Sequence, residues 1–474
     1  IRRELMIRIA KLQSEGRLCE ELDRVPLEMA PKEGQSLRCC VYKDRAVLKY
    51  RAMSLLGYGV QDEVDELTSL GQYAAEAVTR RKAPSPEPSV LDIACDSCTK
   101  GCHLVTDACR GCVARPCSTS CPKGAVSVIN GRAVIDQDRC VNCGICAKEC
   151  AYHAIIYRPV PCEQACPVDA IEKDEQGRIR IDREKCISCG RCLTACPFAA
   201  VMDRSQLVDV LSAFRRPGKV IAAVAPAGIG QFSAPFERLV GACRALGFDA
   251  VYEVAAAADR VAAAESRELG ERLEEGAPFM TSSCCPGWVE SVRRHFRGLE
   301  PYVSHTPSPM IVAGEEIRSE HPDGTVVFVG PCLAKKREAA GSAVIDYVLT
   351  FEELGAMFVA NEIDVQEAAE DRAAVVGTGV GRGFPVAGGV GQAIRDSLGD
   401  DAGVTTTLID GIDGEAVRQL RRLEKAPEDP SKRPDGAKFI EVMACAGGCV
   451  GGPLAYGSAK AALREIKKQG VPAG

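Results

Sequence analysis

The stretch Thr281-Ser282-Ser283-Cys284-Cys285-Pro286-Gly287-Trp288 sets two adjacent cysteines beside a helix-starting proline and the only tryptophan of the 474-residue chain. Two later stretches answer it: Gly330-Pro331-Cys332-Leu333-Ala334-Lys335-Lys336-Arg337-Glu338 and Glu441-Val442-Met443-Ala444-Cys445-Ala446-Gly447-Gly448-Cys449. Thiolates are soft donors, and five cysteines in three turns punctuated by glycine or proline have the composition of one metal site. A thiol is also a weak acid that can pass a proton near neutral pH. Seventeen further cysteines fall between Cys95 and Cys196, dense enough to wire electrons to that site. The chemistry these residues suit is exchange of electrons and protons at a buried iron centre.

The upstream cysteines repeat. One unit reads Cys109-x2-Cys112-x4-Cys117-x3-Cys121-Pro122, then Cys140-x2-Cys143-x2-Cys146-x3-Cys150. The next reads Cys162-x3-Cys166-Pro167, then Cys186-x2-Cys189-x2-Cys192-x3-Cys196-Pro197. Strand-like stretches at 133–136 and 179–182 separate the halves. The pattern resembles a bacterial two-cluster ferredoxin, in which the fourth cysteine of each run ligates the other cluster. That resemblance assigns one 4Fe–4S cluster to Cys140, Cys143, Cys146 and Cys121, and a second to Cys109, Cys112, Cys117 and Cys150. It assigns a third to Cys186, Cys189, Cys192 and Cys166. Cys162 and Cys196 are left as half a site, which Cys95-x2-Cys98-x3-Cys102 can complete as a fourth cluster with one cysteine to spare. A zinc ribbon needs two C-x2-C knuckles; the tandem runs do not fit it, and for Cys95, Cys98 and Cys102 it stays open. His103 and His153 read as packing or solvated side chains.

The elements that must position these cysteines follow from composition and periodicity. A chain of this length holds roughly two to four domains, expected as a helical N-terminal region at 1–90, a tandem ferredoxin-like domain at 91–204 and a catalytic domain at 205–474. Leu5, Ile9 and Leu12 share one helix face, further helices are expected over 46–56 and 62–80, and the Pro-rich segment 82–89 reads as a linker. Cys19, Cys39, Cys40 and Cys243 read as buried packing thiols. After a helical connector near 205–215, apolar strands are expected at 220–226, 247–252, 324–330 and 439–443, with helices such as 260–273 and 414–425 between them. Such alternation predicts parallel sheets whose ligands sit at the C-terminal strand ends. The second and third motifs fall at such ends; the first follows only the short apolar stretch 277–280. The net charge of -6 argues against nucleic acid and anionic membrane surfaces. No apolar run reaches the length of about eighteen residues that a membrane span needs. The chain starts at Ile1 without a methionine or an apolar signal core, and a helix-like pattern after Arg2-Arg3 speaks against an export signal. Closely spaced cysteines suit metal rather than disulfides, so a reducing cytoplasm is expected.

The three cysteine stretches resemble the signature motifs of the iron-only (FeFe) hydrogenases, and the whole chain resembles the group B, monomeric branch of that family. The resemblance implies an α/β catalytic domain, two lobes with parallel sheets flanked by helices and the H-cluster in the cleft, beside an α+β ferredoxin-like iron–sulfur domain and a helical N-terminal region. The H-cluster is a 4Fe–4S cubane joined through a cysteine sulfur to a diiron subsite carrying CO, cyanide and an azadithiolate. By position, Cys285, Cys332, Cys445 and Cys449 hold the cubane, with Cys449 bridging. Cys284 is the proton-relay thiol, Lys335 bonds a cyanide with support from Glu338, and Pro226, Ala227 and Met443 contact the cofactor. Read without the family, Cys284 is equally a structural thiol and Lys335 a surface charge beside Lys336. Gly330 stands where a methionine is commoner, Ala227 where a serine is common, and Pro453-Leu454 where Gly-Gln is commoner, which predicts a less polar pocket. Glu265 and Glu268 share a helix face and match the family's relay glutamates or are plain surface charges. Gly377 to Gly383 reads as a turn, His305 as a packing or solvent side chain, Met310 as pocket lining and 426–438 as an exposed loop. The implied activity is 2H⁺ + 2e⁻ ⇌ H₂, with electrons passing through three to four accessory 4Fe–4S clusters to a ferredoxin or similar carrier, and maturation proteins supplying the diiron subsite. A hydrogen sensor of low turnover and a hydrogenase-like iron–sulfur assembly protein are the other readings.

Overall fold

The computed structural model describes residues 1–474 apart from 96, 97, 99, 400–402 and 469–474. A continuous apolar run is what a strand covered on both faces requires, and Val220–Val224 is buried at every position. It is the second strand of a four-stranded parallel sheet ordered Ala250–Glu253, Val220–Val224, Thr325–Gly330, Tyr347–Thr350. A second parallel sheet is ordered Met280–Thr281, Phe439–Met443, Thr406–Asp410. Helices flank both sheets, giving the α/β catalytic architecture. Two strands were not legible in the pattern: Tyr347–Thr350 is only four residues long, and Thr406–Asp410 is a half-exposed edge.

The helix expected over 260–273 starts earlier, at Val254–Glu274, because the run Ala255 to Ala258 is intrinsically helix-forming. The one expected over 62–80 is confined to Leu70–Thr79, where Ser69 and Gln72 form a reciprocal capping box that fixes the start. The stretch Gly377 to Gly383 holds a short helix, Gly379–Gly383, rather than a turn; Thr378 caps it, and Gly381 lies against the Ala255 carbonyl where a Cβ would clash. Within 426–438, Ala426 and Ala437 are buried, so that loop is anchored rather than wholly exposed.

The first helix, Arg2–Glu15, turns Leu5, Ile9 and Leu12 inward and packs on Phe351–Ala360 and Leu207–Ala213. Its apolar face therefore joins the same hydrophobic core as the first parallel sheet. Cys243 is buried as a packing thiol, but Cys19, Cys39 and Cys40 are exposed, against expectation. Leu18 takes the core position in its turn, and its immediate neighbour Cys19 necessarily faces away. Cys39 and Cys40 precede the helix Val41–Leu55 in a polar segment where Arg38 and Asp44 pair at 3.0 Å, so no apolar surface covers them.

The iron–sulfur region is built from two antiparallel hairpins, Val126–Ile129 with Arg132–Ile135 and Ile171–Lys173 with Ile179–Ile181. The internal repeat extends to the backbone: Asn142 and Ser188 both have φ 54°, and the glycines after the next cysteines, Gly144 and Gly190, both have φ 76°. That left-handed geometry bends each C-x2-C turn around a common point, and glycine adopts it without a Cβ penalty. Ser89–Val90 pairs antiparallel with Val201–Met202, so the chain enters and leaves this region side by side. No described helix is long and apolar enough to cross a membrane.

Candidate metal centre

Parallel strands end on one side of a sheet, and loops leaving those ends form the crevice. Here the end of Val220–Val224 delivers Pro226 and Ala227, and the end of Thr325–Gly330 delivers Cys332. The ends of Met280–Thr281 and Phe439–Met443 deliver Cys284, Cys285 and Cys445. All of them line one cavity, together with Cys449, Met443, Met310 and Lys335. Cys285 is the N-cap of the helix Pro286–His295 and Cys332 that of Leu333–Ala340. Both sulfurs thus sit at positive helix ends, which favour the anionic thiolate a metal requires.

The donor set fits an iron–sulfur cubane. The four thiols of Cys285, Cys332, Cys445 and Cys449 act electrostatically on one another. Burial, and then the neighbouring Cys285, push Cys332 up to about 11, so a bound cation would be what draws this thiol into its thiolate form. Among the described residues no three His, Cys, Asp or Glu side chains close on a single ion. The backbone also leaves room: a Cβ on Gly448 would meet the Pro385 carbonyl at 2.4 Å, so the turn before Cys449 can be made only by glycine.

Around the cavity the polar groups are few and fixed. Lys335 Nζ donates to Glu338 Oε2 at 2.7 Å, to Ser308 Oγ at 2.8 Å and to the Cys284 carbonyl at 3.4 Å. Burial works against its charge, but the adjacent Glu338 carboxylate outweighs burial and holds the pKa above the ordinary lysine value. Glu338 does not line the cavity; it acts through Lys335. Burial, reinforced by Glu265, drives the Cys284 thiol well above its ordinary pKa, which keeps it protonated. Glu265 is fully buried, not a surface charge. It accepts from the Ser283 backbone N–H at 3.1 Å, while its Oε2 has no partner, and burial pushes it up to about 7. Glu268 accepts from Ser304 Oγ at 2.7 Å and pairs with Arg272 at 2.6 Å, so acidic groups step outward from Cys284 towards the surface. His305 is exposed.

Behind Lys335, Lys336 is wholly buried, with Asp203 at 2.8 Å and Glu353 at 3.4 Å; Arg2 from the first helix also pairs with Asp203, at 2.6 Å. This ion network fastens the Leu333–Ala340 helix to the segment leaving the iron–sulfur region.

The upstream cysteines lie in several groups. Cys121, Cys140, Cys143 and Cys146 line one cavity, and Cys166, Cys186, Cys189 and Cys192 line another. Cys109, Cys112 and Cys150 act electrostatically on Cys117. Cys95, Cys98 and Cys162 all lie within electrostatic reach of Cys196. Cys102 is buried on the strand Cys102–Val105 and accepts from Arg158 at 3.3 Å. None of the 26 cysteines forms a disulfide.

Four features were not legible in the spacing. Cys189 lines both this cavity and the neighbouring one lined by Cys166, Cys186 and Cys192, and so is shared between them. His103 is a packing histidine, but it lines the cavity of Cys121, Cys140, Cys143 and Cys146. Phe328 lies two residues before Gly330 on the same strand face, and its ring fills the space a Cβ there would take, at 2.7 Å. An aromatic ring from the same strand thus occupies the place a side chain at Gly330 would take. Glu441 is buried, accepts from the Gly388 and Gly391 N–H groups at 2.9 and 2.7 Å, and so anchors the helix Gly389–Leu398 behind the site.

Residues 218–453 match the family model of the iron only hydrogenase large subunit, C-terminal domain. Residues 132–155 match a 4Fe-4S binding domain, and residues 156–207 match the LdpA Fe-S cluster-binding domain. The chain is 31% identical over 386 residues to iron hydrogenase 1 of Clostridium pasteurianum, covering 70% of this chain and 66% of the relative. It is 29% identical over 310 residues to the NADP-reducing hydrogenase subunit HndD of Solidesulfovibrio fructosivorans, covering 53% and 52%. The chain therefore spans between 52% and 66% of the length of these two curated relatives. A solved FeFe-hydrogenase HydA1 structure from Chlamydomonas reinhardtii is 23% identical, with a TM-score of 0.46, covering 56% of this chain and 88% of that one.

Proposed function

Since this chain is an iron-only hydrogenase-like protein, we propose that it interconverts protons, electrons and dihydrogen at an H-cluster held by Cys285, Cys332, Cys445 and Cys449. The observation that carries this reading is the convergence of those cysteines with Cys284 and Lys335 on one buried cavity. When bound, the cofactor supplies the iron at which protons and electrons are combined. The chain supplies the rest. Pro226, Ala227, Met310 and Phe328 give an apolar lining that keeps bulk water away. Lys335, braced by Glu338 and Ser308, presents a fixed positive charge to the anionic cyanide that the family's diiron subsite carries. Cys284 holds a proton at Sγ, and Glu265 behind it holds or releases one near neutral pH. Ser304, Glu268 and Arg272 continue that path outward.

Accessory 4Fe–4S clusters held by the upstream cysteines would carry electrons, and Cys189, which lines both the site cavity and a neighbouring cysteine-lined cavity, would join that chain to the site. Four accessory clusters are proposed, the fourth held by Cys95, Cys98, Cys162 and Cys196, with Cys102 as the spare thiol. The partner is a ferredoxin or similar one-electron carrier, the setting a reducing cytoplasm, and maturation proteins provide the diiron subsite.

Anaerobically matured protein is expected to show infrared CO and cyanide bands and to turn over hydrogen. Cys284→Ser should keep the bands and lose activity by about 100-fold or more, the scale of positioned acid–base catalysis. Absence of the bands sinks the enzyme reading, and full turnover in Cys284→Ser sinks the relay.

A further inference from the structure

Arg51 is a buried cation without a buried anion. It projects from the helix Val41–Leu55, is 4% exposed, and donates to the carbonyls of Phe198 and Ala199 at 3.0 and 3.3 Å. Its Nε is buried with no hydrogen-bond partner, and no carboxylate pairs with it among the described residues. The nearest candidate, Asp44, is already taken by Arg38 at 3.0 Å and by Ser36 and the Leu37 N–H at 2.6 and 2.9 Å. Arg38 and Arg2 repel it, while Cys196, and after it the already-paired Asp44, favour its charge. An unpaired buried charge costs several kcal/mol, so an anion is owed to this position. The residues it touches belong to the loop that follows Cys196.

We propose that Arg51 is the counter-cation of the iron–sulfur cluster held by Cys95, Cys98, Cys162 and Cys196, and that it raises the reduction potential of that cluster. A 4Fe–4S cluster with four thiolates carries net negative charge, and reduction adds one more unit. A fixed positive charge in a low-dielectric surround stabilises the reduced form more than the oxidised one. The donor is delivered by the N-terminal helical region, which gives that region an electronic role in addition to its packing. Arg51 touches neither substrate nor active-site iron; it is a tuning residue acting through the cluster. The inference rests on the fourth-cluster assignment made above.

The test is an anaerobic redox titration of the full, iron-loaded chain, followed by electron paramagnetic resonance and paired with iron analysis. Arg51→Gln keeps a donor for the two carbonyls and removes the charge; Arg51→Lys keeps the charge. Cys162→Ser identifies which signal belongs to this cluster. In Arg51→Gln that signal should titrate lower, with at least a tenfold smaller reduced-to-oxidised ratio at a fixed potential, about 59 mV for a one-electron couple. Arg51→Lys should recover most of the shift. Loss of this one cluster from Arg51→Gln but not from Arg51→Lys would support the same charge requirement. An unmoved potential in Arg51→Gln with iron content intact overturns the proposal, as does an equal shift in both variants. If Cys162→Ser and the unsubstituted chain hold the same iron and the same signals, the fourth cluster itself is wrong, and the proposal falls with it for that separate reason.

Discussion

Lys336 ties three parts of the chain together, and its removal should be felt well beyond its own contacts. Its ammonium lies 2.8 Å from Asp203, 3.4 Å from Glu353 and 3.0 Å from the Arg204 carbonyl, all out of contact with solvent. Lys336→Met keeps the aliphatic stem and removes only the charge. Asp203 then retains Arg2 at 2.6 Å, but Glu353 loses its cation and is left with Ser205 Oγ at 2.5 Å and the Thr350 N–H at 2.6 Å. Breaking a buried ion pair from one side costs about 3–5 kcal/mol. With Arg2 still in place and two donors on Glu353, the lower end applies, about 3 kcal/mol on the same scale. Neutralising the stranded partner in Lys336→Met/Glu353→Gln should recover about 1–2 kcal/mol, the size of coupling expected between touching residues. The assay is guanidinium unfolding of the anaerobic full chain read by Trp288, the only tryptophan. Trp288 sits on Pro286–His295, which packs directly on the Leu333–Ala340 helix that carries Lys336. A loss under about 1 kcal/mol, the value of a surface pair, or a double variant no more stable than the single, would refute the reasoning.

Iron analysis should separate the spare thiol from the ligands: Cys102→Ser is expected to keep the iron content of the unsubstituted chain, and Cys162→Ser to lose one cluster's worth. Loss of iron from Cys102→Ser would mean that the fourth group is wrongly drawn. Asp203 predicts an acid limit. Burial alone would raise its pKa, but Lys336 and then Arg2 outweigh burial and hold it well below the usual carboxylate range. A depressed folded pKa means the stabilisation is complete above the ordinary aspartate value near 4 and drains away as pH falls below it. Stability measured from about pH 5 downward should therefore fall less steeply in Asp203→Asn than in the unsubstituted chain, and equal slopes would contradict the pairing.

Much of the site could be read from spacing because iron–sulfur ligation is local. The C-x2-C-x2-C-x3-C runs fold their own cysteines around one point, through turns whose φ values are fixed by a few residues such as Ser188 and Gly190. The apolar strand Val220–Val224 was equally plain, since burial on both faces leaves no room for polar alternation. Elements with weaker local codes were missed. Tyr347–Thr350 is too short for a periodic signal, and Cys39 with Cys40 looked like core thiols because residue type says nothing about what lies opposite.

By itself the sequence determined the donor types, their grouping into ordered motifs and the parallel-strand frame, because each depends on residues near one another along the chain. Tertiary structure alone decided the long-range pairings. It buried Glu265 behind Cys284, filled the space at Gly330 with Phe328, and turned Cys102 towards Arg158 while Cys95 and Cys98 met Cys196. It also brought Arg51 to the Cys196 loop across 145 positions of chain, the difference between 51 and 196. Burial and electrostatic fields are summed over neighbours in space, and no local pattern encodes which distant residue will supply them.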